Sequence, residues 1–413
     1  MKFDTVIIGG GLAGLVCGIR LQQKGLKCAI VSAGQSALHF SSGSFDLLNE
    51  LPDGTVVTNP EEAVASLDKS HPYAKIGAKF ADYAKEAKQL LLASGVEVSG
   101  ESNRNVYRIT PMGTTMPTWL TLADFSTLKN SNDVLGKRIL LVNIAGFLDF
   151  NTKFVTDAFE ANGAECRIKS VSLPEFERLR QSPTEMRSAN IARVIENKNT
   201  LNALLSTLKG DSNGFDVVAL PAVFGLSSLE PVKVLKDGLN IPVCLVPTMP
   251  PSVPGIRTQK QLRRVFEQAG GVYMLGDSVM KAETVNGRVE KVYTVNHGDI
   301  ALKADNFVLA TGSFFSNGLK AQMDRVYEPV FGADVDFDAN RNSWYNVSVF
   351  EPQKYRTFGV ATDEQFRIKV NGKVVDNVYA IGSVLSGFDA LQEGCGAGVS
   401  MLTALYVADN LKK

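Results

Sequence analysis

The sequence predicts an α/β protein in which a Rossmann-like domain carries a β-meander and receives an inserted α+β domain. Three observations support this fold class. An apolar strand runs into G-x-G-x-x-G, several short strands follow one another after residue 271, and the chain ends with a strand and an apolar helix. We expect a discontinuous domain made of residues 1–50, 255–312 and 372–413, and a substrate- or partner-binding domain made of residues 51–254 and 313–371.

The first element is a strand, FDTVII, followed by GGGLAGL, which opens a helix to about residue 24, and by a second strand, KCAIV. In this setting Gly9 permits a tight turn, Gly11 lets the backbone approach a phosphate, and Gly14 lets helix and strand pack closely. The free N–H groups at the helix start favour an anion. The pattern predicts a nucleotide phosphate at this turn. A glycine-rich turn without a ligand is the alternative.

The next segments predict a helix and buried strands. Between residues 59 and 94, apolar side chains recur at spacings of three and four, which indicates a helix. They are Ile76, Phe80, Tyr83, Ala87 and Leu90. The runs RILLVNIAG (138–146) and DVVAL (216–220) are apolar and branched, as in the buried strands of α/β layers.

Short strands dominate after the proline-rich stretch PTMPPSVPGI. A helix is predicted to end at Gly270 and Gly271, and strands are predicted in VYML, SVMKAETV, GRVEKVYTV, DIALKAD and NFVLATG. Asn286 and Gly287 lie between two of these strands and are typical of a tight hairpin turn. The pattern of the last 40 or so residues predicts a strand over residues 378–382 and a helix from about residue 394 to 411.

Composition and charge exclude several classes of function. The 413-residue chain has 43 Lys+Arg and 43 Asp+Glu, so no broad positive field attracts nucleic acid. No apolar run approaches the roughly 20 residues needed to cross a bilayer, so we expect no membrane span. The five cysteines form no C-x-x-C pair and the three histidines share no ligand spacing, which argues against zinc, iron–sulfur clusters and disulfides. We expect a cytoplasmic protein without a bound metal.

Two later segments resemble the second and third signatures of two-domain flavoproteins. In ADNFVLATGSFF (304–315), Thr311 and Gly312 end a strand, and in the segment from 377 to 411, Gly382 and Ser383 end another. The resemblance implies that these residues lie near a flavin. Glycines at the start of the last helix would let its N–H groups face the flavin pyrimidine edge, where negative charge develops on reduction. These are Gly394, Gly396 and Gly398. The Rossmann-like domain is therefore predicted to be a flavin-binding domain, although a purely structural helix would also be apolar.

Ser32 and Ser383 occupy positions where such flavoproteins have Glu or Asp. Those carboxylates normally hold the adenosine ribose and the ribityl–phosphate junction, so their loss is compatible with a mononucleotide, FMN. A serine hydroxyl can also bind a ribose, so FAD stays open. The sequence favours FMN.

The segment ALHFSSGSFDLL (37–48) narrows the resemblance. Flavin dehydrogenases of the succinate/fumarate and amino-acid-oxidase superfamily place a Ser/Gly-rich loop over the isoalloxazine here. The residues concerned are Ser41, Ser42, Gly43 and Ser44. Together with RITPMGTTMPTWLT, PTMPPSVPGIRTQKQL and DALQEGCGAGVSMLTAL, this loop makes the chain resemble, over essentially its full length, the family of anaerobic glycerol-3-phosphate dehydrogenase B subunits.

That resemblance implies an activity and partners. Members of the family oxidise sn-glycerol 3-phosphate to dihydroxyacetone phosphate and pass electrons to quinone, with fumarate or nitrate as terminal acceptor. The B subunit pairs with the A subunit, which is larger, contains FAD and is catalytic, and it works with the C subunit, which is membrane-bound and carries iron–sulfur clusters. We therefore expect a cytoplasmic chain held peripherally at the inner membrane through its partner.

The implied reaction needs a base and a phosphate site. A base takes the hydroxyl proton while hydride leaves for flavin N5, and His39 adjoins the loop over the flavin. Arg257 and Arg108 lie near the flavin-binding elements, and arginine suits bidentate binding of phosphate. The alternatives are a structural histidine and surface or domain-interface arginines.

Three functions stay open at this point. In the first, the flavin of this chain accepts hydride from glycerol 3-phosphate. In the second, the chain is a non-catalytic electron-relay or scaffold subunit, which the scarcity of acid–base residues favours. In the third, it is a flavin oxidoreductase for another small acid.

Overall fold

The computed structural model describes residues 1–411. The α-helices are α1 (Leu12–Gln23), α2 (Pro60–Ala63), α3 (Pro72–Ile76), α4 (Phe80–Ala93), α5 (Thr152–Ala161), α6 (Pro174–Arg180), α7 (Ser188–Ile195), α8 (Lys198–Asp211), α9 (Glu230–Gly238), α10 (Val253–Gln268) and α11 (Gly396–Asn410). Within the described residues, no helix combines the length and the apolar character needed to span a membrane.

The strands are β1 (Lys2–Ile8), β2 (Cys28–Ser32), β3 (Ser44–Phe45), β4 (Val98–Ser99), β5 (Val106–Ile109), β6 (Thr115–Thr118), β7 (Leu120–Leu122), β8 (Thr127–Leu128), β9 (Arg138–Ile144), β10 (Glu165–Val171), β11 (Val217–Pro221), β12 (Val243–Val246), β13 (Val272–Leu275), β14 (Val279–Val285), β15 (Arg288–Thr294), β16 (Leu302–Leu309), β17 (Lys320–Ala321), β18 (Val326–Tyr327), β19 (Val335–Asp336), β20 (Gly359–Val360), β21 (Arg367–Val370) and β22 (Lys373–Ala380).

The largest sheet has eight strands, and its parallel part has the order β13-β2-β1-β16-β22. The first half of β16 pairs antiparallel with β15, and its second half pairs parallel with β22. β14 and β15 form a hairpin closed by Asn286 and Gly287, both at positive φ, which confirms the predicted turn. The two strands predicted over DIALKAD and NFVLATG are a single strand, β16, because the two segments are contiguous and the chain stays extended through Asp305 and Asn306.

Helices α1 and α11 pack against each other and run in the same direction. Arg20, near the end of α1, donates to both carboxylate oxygens of Asp409, near the end of α11, at 2.7 and 2.9 Å. Lys24 Nζ donates to the Ala408 and Asp409 carbonyl oxygens at 2.6 and 3.0 Å, where a cation favours the negative helix end. Because the carboxyl ends of the two helices are joined, their amino ends lie on the same side of the molecule.

A second sheet contains only parallel strands, in the order β10-β9-β11-β12, and has its own apolar core. The two runs predicted as buried strands form β9 and β11, which pair with each other at the centre of this sheet. Two small antiparallel sheets, β3-β7-β4 and β6-β5-β8, precede it. The predicted mixed α/β class is therefore confirmed.

The helical segment predicted between residues 59 and 94 forms three α-helices rather than one. Pro72 occupies the first turn of α3, and Gly77, at φ +61°, separates α3 from α4. Proline lacks the N–H that would extend a helix backwards, and the left-handed conformation at glycine ends one. The apolar side chains that predicted the helix are nevertheless all buried.

The chain has two large apolar cores. The first surrounds the eight-stranded sheet and also takes in α4 and side chains between residues 319 and 368. The second belongs to the four-stranded parallel sheet. The assignment of flavin binding to residues 1–50, 255–312 and 372–413, and of substrate or partner binding to residues 51–254 and 313–371, stays a prediction.

Arg257 on α10 joins elements of both cores. Its Nη2 donates to both carboxylate oxygens of Asp124 at 2.6 and 2.5 Å, and its Nη1 donates to the Gly225 carbonyl oxygen at 2.5 Å. Asp124 follows β7, and Gly225 follows β11. The Asp124 side chain is 1% exposed and the Arg257 side chain is 11% exposed. Removing one charge would therefore leave the other buried without its partner.

We expect Arg257→Ala to lower the free energy of unfolding by about 3–5 kcal/mol, because the Asp124 carboxylate would stay buried and unpaired. Arg263→Ala, on the same helix, removes a partly exposed pair with Glu267 and a contact with the Tyr273 ring, and should cost about 1 kcal/mol. Urea unfolding followed by circular dichroism measures both losses. Equal, small losses would show that the Asp124 pair does not join the two cores.

Candidate functional site

A cavity of about 710 Å³ opens at the carboxyl ends of β1, β16 and β22. It is lined by residues 8–13, 31–38, 277–280, 310–312 and 329–330, and by parts of 41–45, 316–320 and 381–400. The amino ends of α1 and α11 both reach this cavity. Because the start of a helix carries partial positive charge and unpaired N–H groups, the cavity favours anionic groups at two places.

Glycine is required at two positions of the turn between β1 and α1. A Cβ at Gly9 would lie 2.1 Å from the Ala310 carbonyl oxygen, and one at Gly14 would lie 2.0 Å from the Gly9 carbonyl oxygen. Gly9 also has φ +118°. Gly14 therefore packs the helix on the strand and does not line the cavity.

Gly11 lines the cavity and differs from these two glycines. The protein atom nearest to a Cβ at Gly11 would be Ser36 Cβ, at 3.8 Å. No side chain caps the helix that begins after Gly11, and no acidic residue lies in its first turn. The open space and the uncapped N–H groups are what a bound phosphate would need.

Gly396 lines the cavity at the start of α11, whereas its glycine neighbours pack against protein. A Cβ at Gly394 would lie 2.4 Å from Asn49 Nδ2, and one at Gly398 would lie 2.1 Å from the Tyr73 hydroxyl oxygen. Gly394 and Gly398 thus let α11 approach its neighbours, while Gly396 leaves the helix start accessible from the cavity.

Thr311, Gly312 and Ser383 lie in the cavity wall, where the chain leaves β16 and β22. Gly382 does not line the cavity. It has φ +72°, and a Cβ there would lie 2.8 Å from Ala13 Cβ. Gly382 therefore lets the chain after β22 approach α1.

The cavity continues past the glycine-rich turn to Ser32, whose hydroxyl donates to the Gly34 carbonyl oxygen at 3.0 Å. Residues 277–280 adjoin this end, because the Asp277 N–H donates to the Ser32 carbonyl oxygen. The Asp277 carboxylate accepts the Asn296 N–H at 3.0 Å and lies 2.9 Å from His297 Nδ1, so it is held by the β-meander. Asp277 was not predicted as a site residue, and the GD dipeptide after VYML was the available signal.

Ser41 and Ser44 line the cavity, whereas Ser42 and Gly43 do not. Gly43 has φ +86°, and a Cβ there would lie 1.9 Å from the Phe125 ring. The Ser41 hydroxyl oxygen accepts the Gly43 N–H at 3.2 Å, which shapes the turn. Only two of the four predicted loop residues are therefore accessible from the cavity.

The three predicted catalytic residues, His39, Arg257 and Arg108, do not line the cavity. His39 is half-buried, and burial, with a smaller effect from Lys260, lowers its pKa. The imidazole is therefore neutral at neutral pH. Arg257 is held by Asp124, as described above, and lies in a different, polar groove.

Arg108 on β5 lies near the start of α11 but inside the protein. Its Nη2 is 3.6 Å from the Asp46 carboxylate, and its Nε has no hydrogen-bond partner among the described residues. Burial raises the pKa of Asp46, while Arg108 and a hydrogen bond from Thr118 oppose that shift. The Asp46 carbonyl oxygen accepts the Gly398 N–H at 2.9 Å, which ties this pair to α11.

Lys320 is the one cation among the described residues that line the cavity. It lies in β17, is exposed, and forms no ion pair with another described residue. Sequence reasoning missed it, because a single lysine in a loop-rich segment is ordinary.

His71, Glu393 and Cys395 form a buried group behind the start of α11. His71 Nδ1 accepts the Tyr73 N–H at 3.0 Å, and His71 Nε2 lies 3.1 Å from a Glu393 carboxylate oxygen. Their ligand atoms lie within 4.8 Å of one another, so the group could hold a metal ion. Burial raises the pKa of the Cys395 thiol well above its usual value, which keeps it protonated. Sequence spacing could not reveal a group whose members come from opposite ends of the chain.

We expect Gly11→Val to keep the fold and to weaken flavin binding at least tenfold, because its side chain would occupy the space assigned to phosphate. Gly14→Val should instead lower the melting temperature, because its Cβ would clash with backbone. Flavin fluorescence titration and thermal unfolding of the flavin-free proteins measure the two effects. Unchanged flavin affinity in Gly11→Val would contradict the placement of the phosphate.

Comparison with known proteins finds a matching family model and a distant structural neighbour. Residues 4–399 match a family model described as an FAD binding domain. Among solved structures, a flavocytochrome c3 fumarate reductase in an open conformation aligns with 9% identity and a TM-score of 0.47, covering 99% of this chain and 78% of that chain.

Two curated relatives span the whole chain, and both are named as the B subunit of anaerobic glycerol-3-phosphate dehydrogenase. The protein from Yersinia enterocolitica is 45% identical over 100% of this chain and 98% of the relative. The protein from Pectobacterium atrosepticum is 45% identical over 100% of this chain and 99% of the relative. These matches confirm the resemblance predicted from the sequence: the chain belongs to the FAD-binding-domain family and, within it, to the anaerobic glycerol-3-phosphate dehydrogenase B subunits.

Proposed function

We propose that this chain is the flavin-holding B subunit of an oxidoreductase that converts sn-glycerol 3-phosphate to dihydroxyacetone phosphate. The cavity is the main support for this proposal. It brings together two helix N-termini, the open space at Gly11 and the loop at residues 37–45. Relatives of 45% identity carry the name of this enzyme. Electrons would pass to quinone through the larger, FAD-containing A subunit, then through the membrane-bound iron–sulfur C subunit, which would hold this cytoplasmic chain at the inner membrane.

The cavity-lining residues fit a flavin. The N–H groups after Gly11 would bind its phosphate, and the start of α11 at Gly396 would face the pyrimidine edge, where positive potential stabilises negative charge. Ser41 and Ser44 offer hydroxyl groups from the opposite loop. A bound flavin would supply the hydride acceptor. The fixed backbone around it would orient the ring against the substrate.

We keep His39 as the proposed base, although it lies outside the cavity wall, between the lining residues Leu38 and Ser41. Its lowered pKa leaves the imidazole neutral at physiological pH, so Nδ1 or Nε2 can accept the substrate hydroxyl proton. Arg108 and Arg257, the candidates for the substrate phosphate, already face carboxylates of this chain. Lys320 lies in the cavity wall without such a partner, and we add it as a candidate cation for that phosphate.

Anaerobic titration of the reconstituted complex with glycerol 3-phosphate should bleach the visible flavin absorbance. Glycerol and inorganic phosphate, as matched controls, should leave it unchanged, because neither combines the oxidisable alcohol with the anionic group. The same titration of this chain alone locates the chemistry: bleaching would assign substrate oxidation to this flavin. Bleaching only in the complex would support the electron-relay role, and no bleaching in either would indicate another small-acid substrate.

We propose FMN as the flavin of this chain. Serine replaces the usual carboxylate at Ser32 and Ser383, which removes the groups that normally hold the adenosine ribose and the ribityl–phosphate junction. The single phosphate of FMN would lie at the start of α1. The cavity does extend to Ser32 and to residues 277–280, so it offers space beyond a mononucleotide.

Flavin-free protein incubated with equal concentrations of FMN and FAD should retain FMN at least tenfold better. The adenosine half of FAD would lack the carboxylate usually found at position 32, and the Ser32 hydroxyl in its place already donates to the Gly34 carbonyl oxygen. Acid release of the bound cofactor followed by mass spectrometry measures the ratio. Recovery of FAD would overturn the inference from the two serines.

A further inference from the structure

An exposed apolar surface lies beside the cavity, and we name it the apolar rim. Its side chains come from three segments of chain: Phe40, Phe315, Tyr345, Val347, Val349 and Phe350. Val347 is 100% exposed and Phe350 is 96% exposed. Single exposed apolar residues are common in soluble proteins, but a group of this size marks an interaction surface.

The three segments adjoin one another. The Phe40 and Phe315 rings meet edge to face, with 5.2 Å between their centroids. Phe314 meets Tyr355 in the same way at 6.2 Å, and the Tyr355 N–H donates to the Trp344 carbonyl oxygen at 2.8 Å. Trp344 begins the loop that carries the exposed valines and Phe350. The apolar rim is therefore connected by contacts from residue 40 to residue 350.

The loop at residues 346–353 is held in a defined shape by Gln353, whose side chain is 5% exposed. Its Oε1 accepts the Asn346 N–H at 3.0 Å, and its Nε2 donates to the Ser348 and Glu351 carbonyl oxygens at 2.8 and 2.9 Å. The buried Gln353 side chain thus forms hydrogen bonds with the backbone of the loop, while the apolar side chains of the loop are exposed. These hydrogen bonds hold the loop in one conformation, in which its apolar side chains are available for binding.

The apolar rim borders the cavity directly. Phe40 precedes Ser41 and Phe315 precedes Ser316, and both serines line the cavity. A protein bound on the rim would lie over the cavity opening and exclude water from it.

The proposed reaction leaves electrons on this chain that must pass to another redox centre. The five cysteines form no disulfide, and no three of them lie together in a metal-binding group, so the described residues offer no cysteine cluster for an iron–sulfur relay. The acceptor would therefore approach the cavity from outside, and the rim is an exposed apolar surface beside it.

The charges around the rim favour a protein over a membrane. Lys354 is paired with Asp338, and Arg356 lies 3.9 Å from Asp389. The loop itself adds only one charge, on Glu351. Anionic lipid surfaces are bound by clusters of Lys and Arg, and the chain segments that carry the rim, residues 37–41, 314–316 and 344–353, contain neither. An apolar protein face matches the rim better.

We propose that the apolar rim docks the larger A subunit of the same enzyme, through an apolar face that places its own redox group over the cavity opening. This inference rests on the proposed function, because it takes the electron acceptor to be another subunit. Phe350 and Val347 supply the protruding contacts.

Co-expression of this chain with an affinity-tagged A subunit from the same bacterium tests the proposal. We expect Phe350→Asp and Val347→Asp to reduce at least tenfold the amount recovered with the A subunit, because a charge would be buried in an apolar contact. Phe154→Asp and Val295→Asp are matched controls at half-exposed positions elsewhere, and should be recovered like the unsubstituted chain. All four variants should retain flavin.

Several outcomes would overturn the proposal. Recovery of the two rim variants at the level of the controls would exclude the rim as the docking surface. Light scattering that shows dimers of this chain alone, abolished by Phe350→Asp, would assign the rim to a second copy. Binding to phosphatidylcholine vesicles, lost in the variants while capture by the A subunit persists, would assign it to a membrane. Capture through the rim without flavin reduction by glycerol 3-phosphate would leave docking intact and contradict the proposed function alone.

Discussion

The arrangement of the cavity depends on the close packing of three backbone segments: the turn at Gly9, the start of α1 at Gly14 and the end of β16 at Ala310. The carbonyl oxygen of Ala310, at the end of β16, occupies the space that a side chain at Gly9 would need, and the carbonyl oxygen of Gly9 occupies that of Gly14. Only glycine, which has no Cβ, lets the backbone segments pack this closely. As a result, the start of α1 lies directly against the ends of β1 and β16 and faces the cavity.

The second helix reaches the same cavity because of contacts made at the far ends of both helices. Arg20 and Lys24 fix the carboxyl end of α1 to that of α11, so the two helix dipoles point the same way. Their positive ends therefore approach different parts of one cavity. A cofactor with an anionic tail and a ring that becomes negative on reduction has the charge distribution that this arrangement favours. The glycines around α11 serve this geometry by letting the helix sit close to Asn49 and Tyr73.

Local patterns predicted the fold class and nine of the residues in the cavity wall. The strand–turn–helix, the Asn286–Gly287 hairpin and the two flavoprotein signatures are each encoded within a few neighbouring residues, so their consequences could be read without the fold. The sequence could not separate glycines that line the cavity, such as Gly396, from those that only permit packing, such as Gly398, because both roles require the same residue. It also could not show that Arg257 is held by Asp124, since that contact depends on how distant segments meet.

A crystal structure of the flavin-loaded chain is the decisive experiment for this arrangement. We expect electron density for a flavin whose phosphate accepts hydrogen bonds from the backbone N–H groups after Gly11, and whose pyrimidine edge faces the start of α11 at Gly396. A flavin bound elsewhere on the molecule, or one whose phosphate is turned away from α1, would contradict the roles assigned to the two helix N-termini.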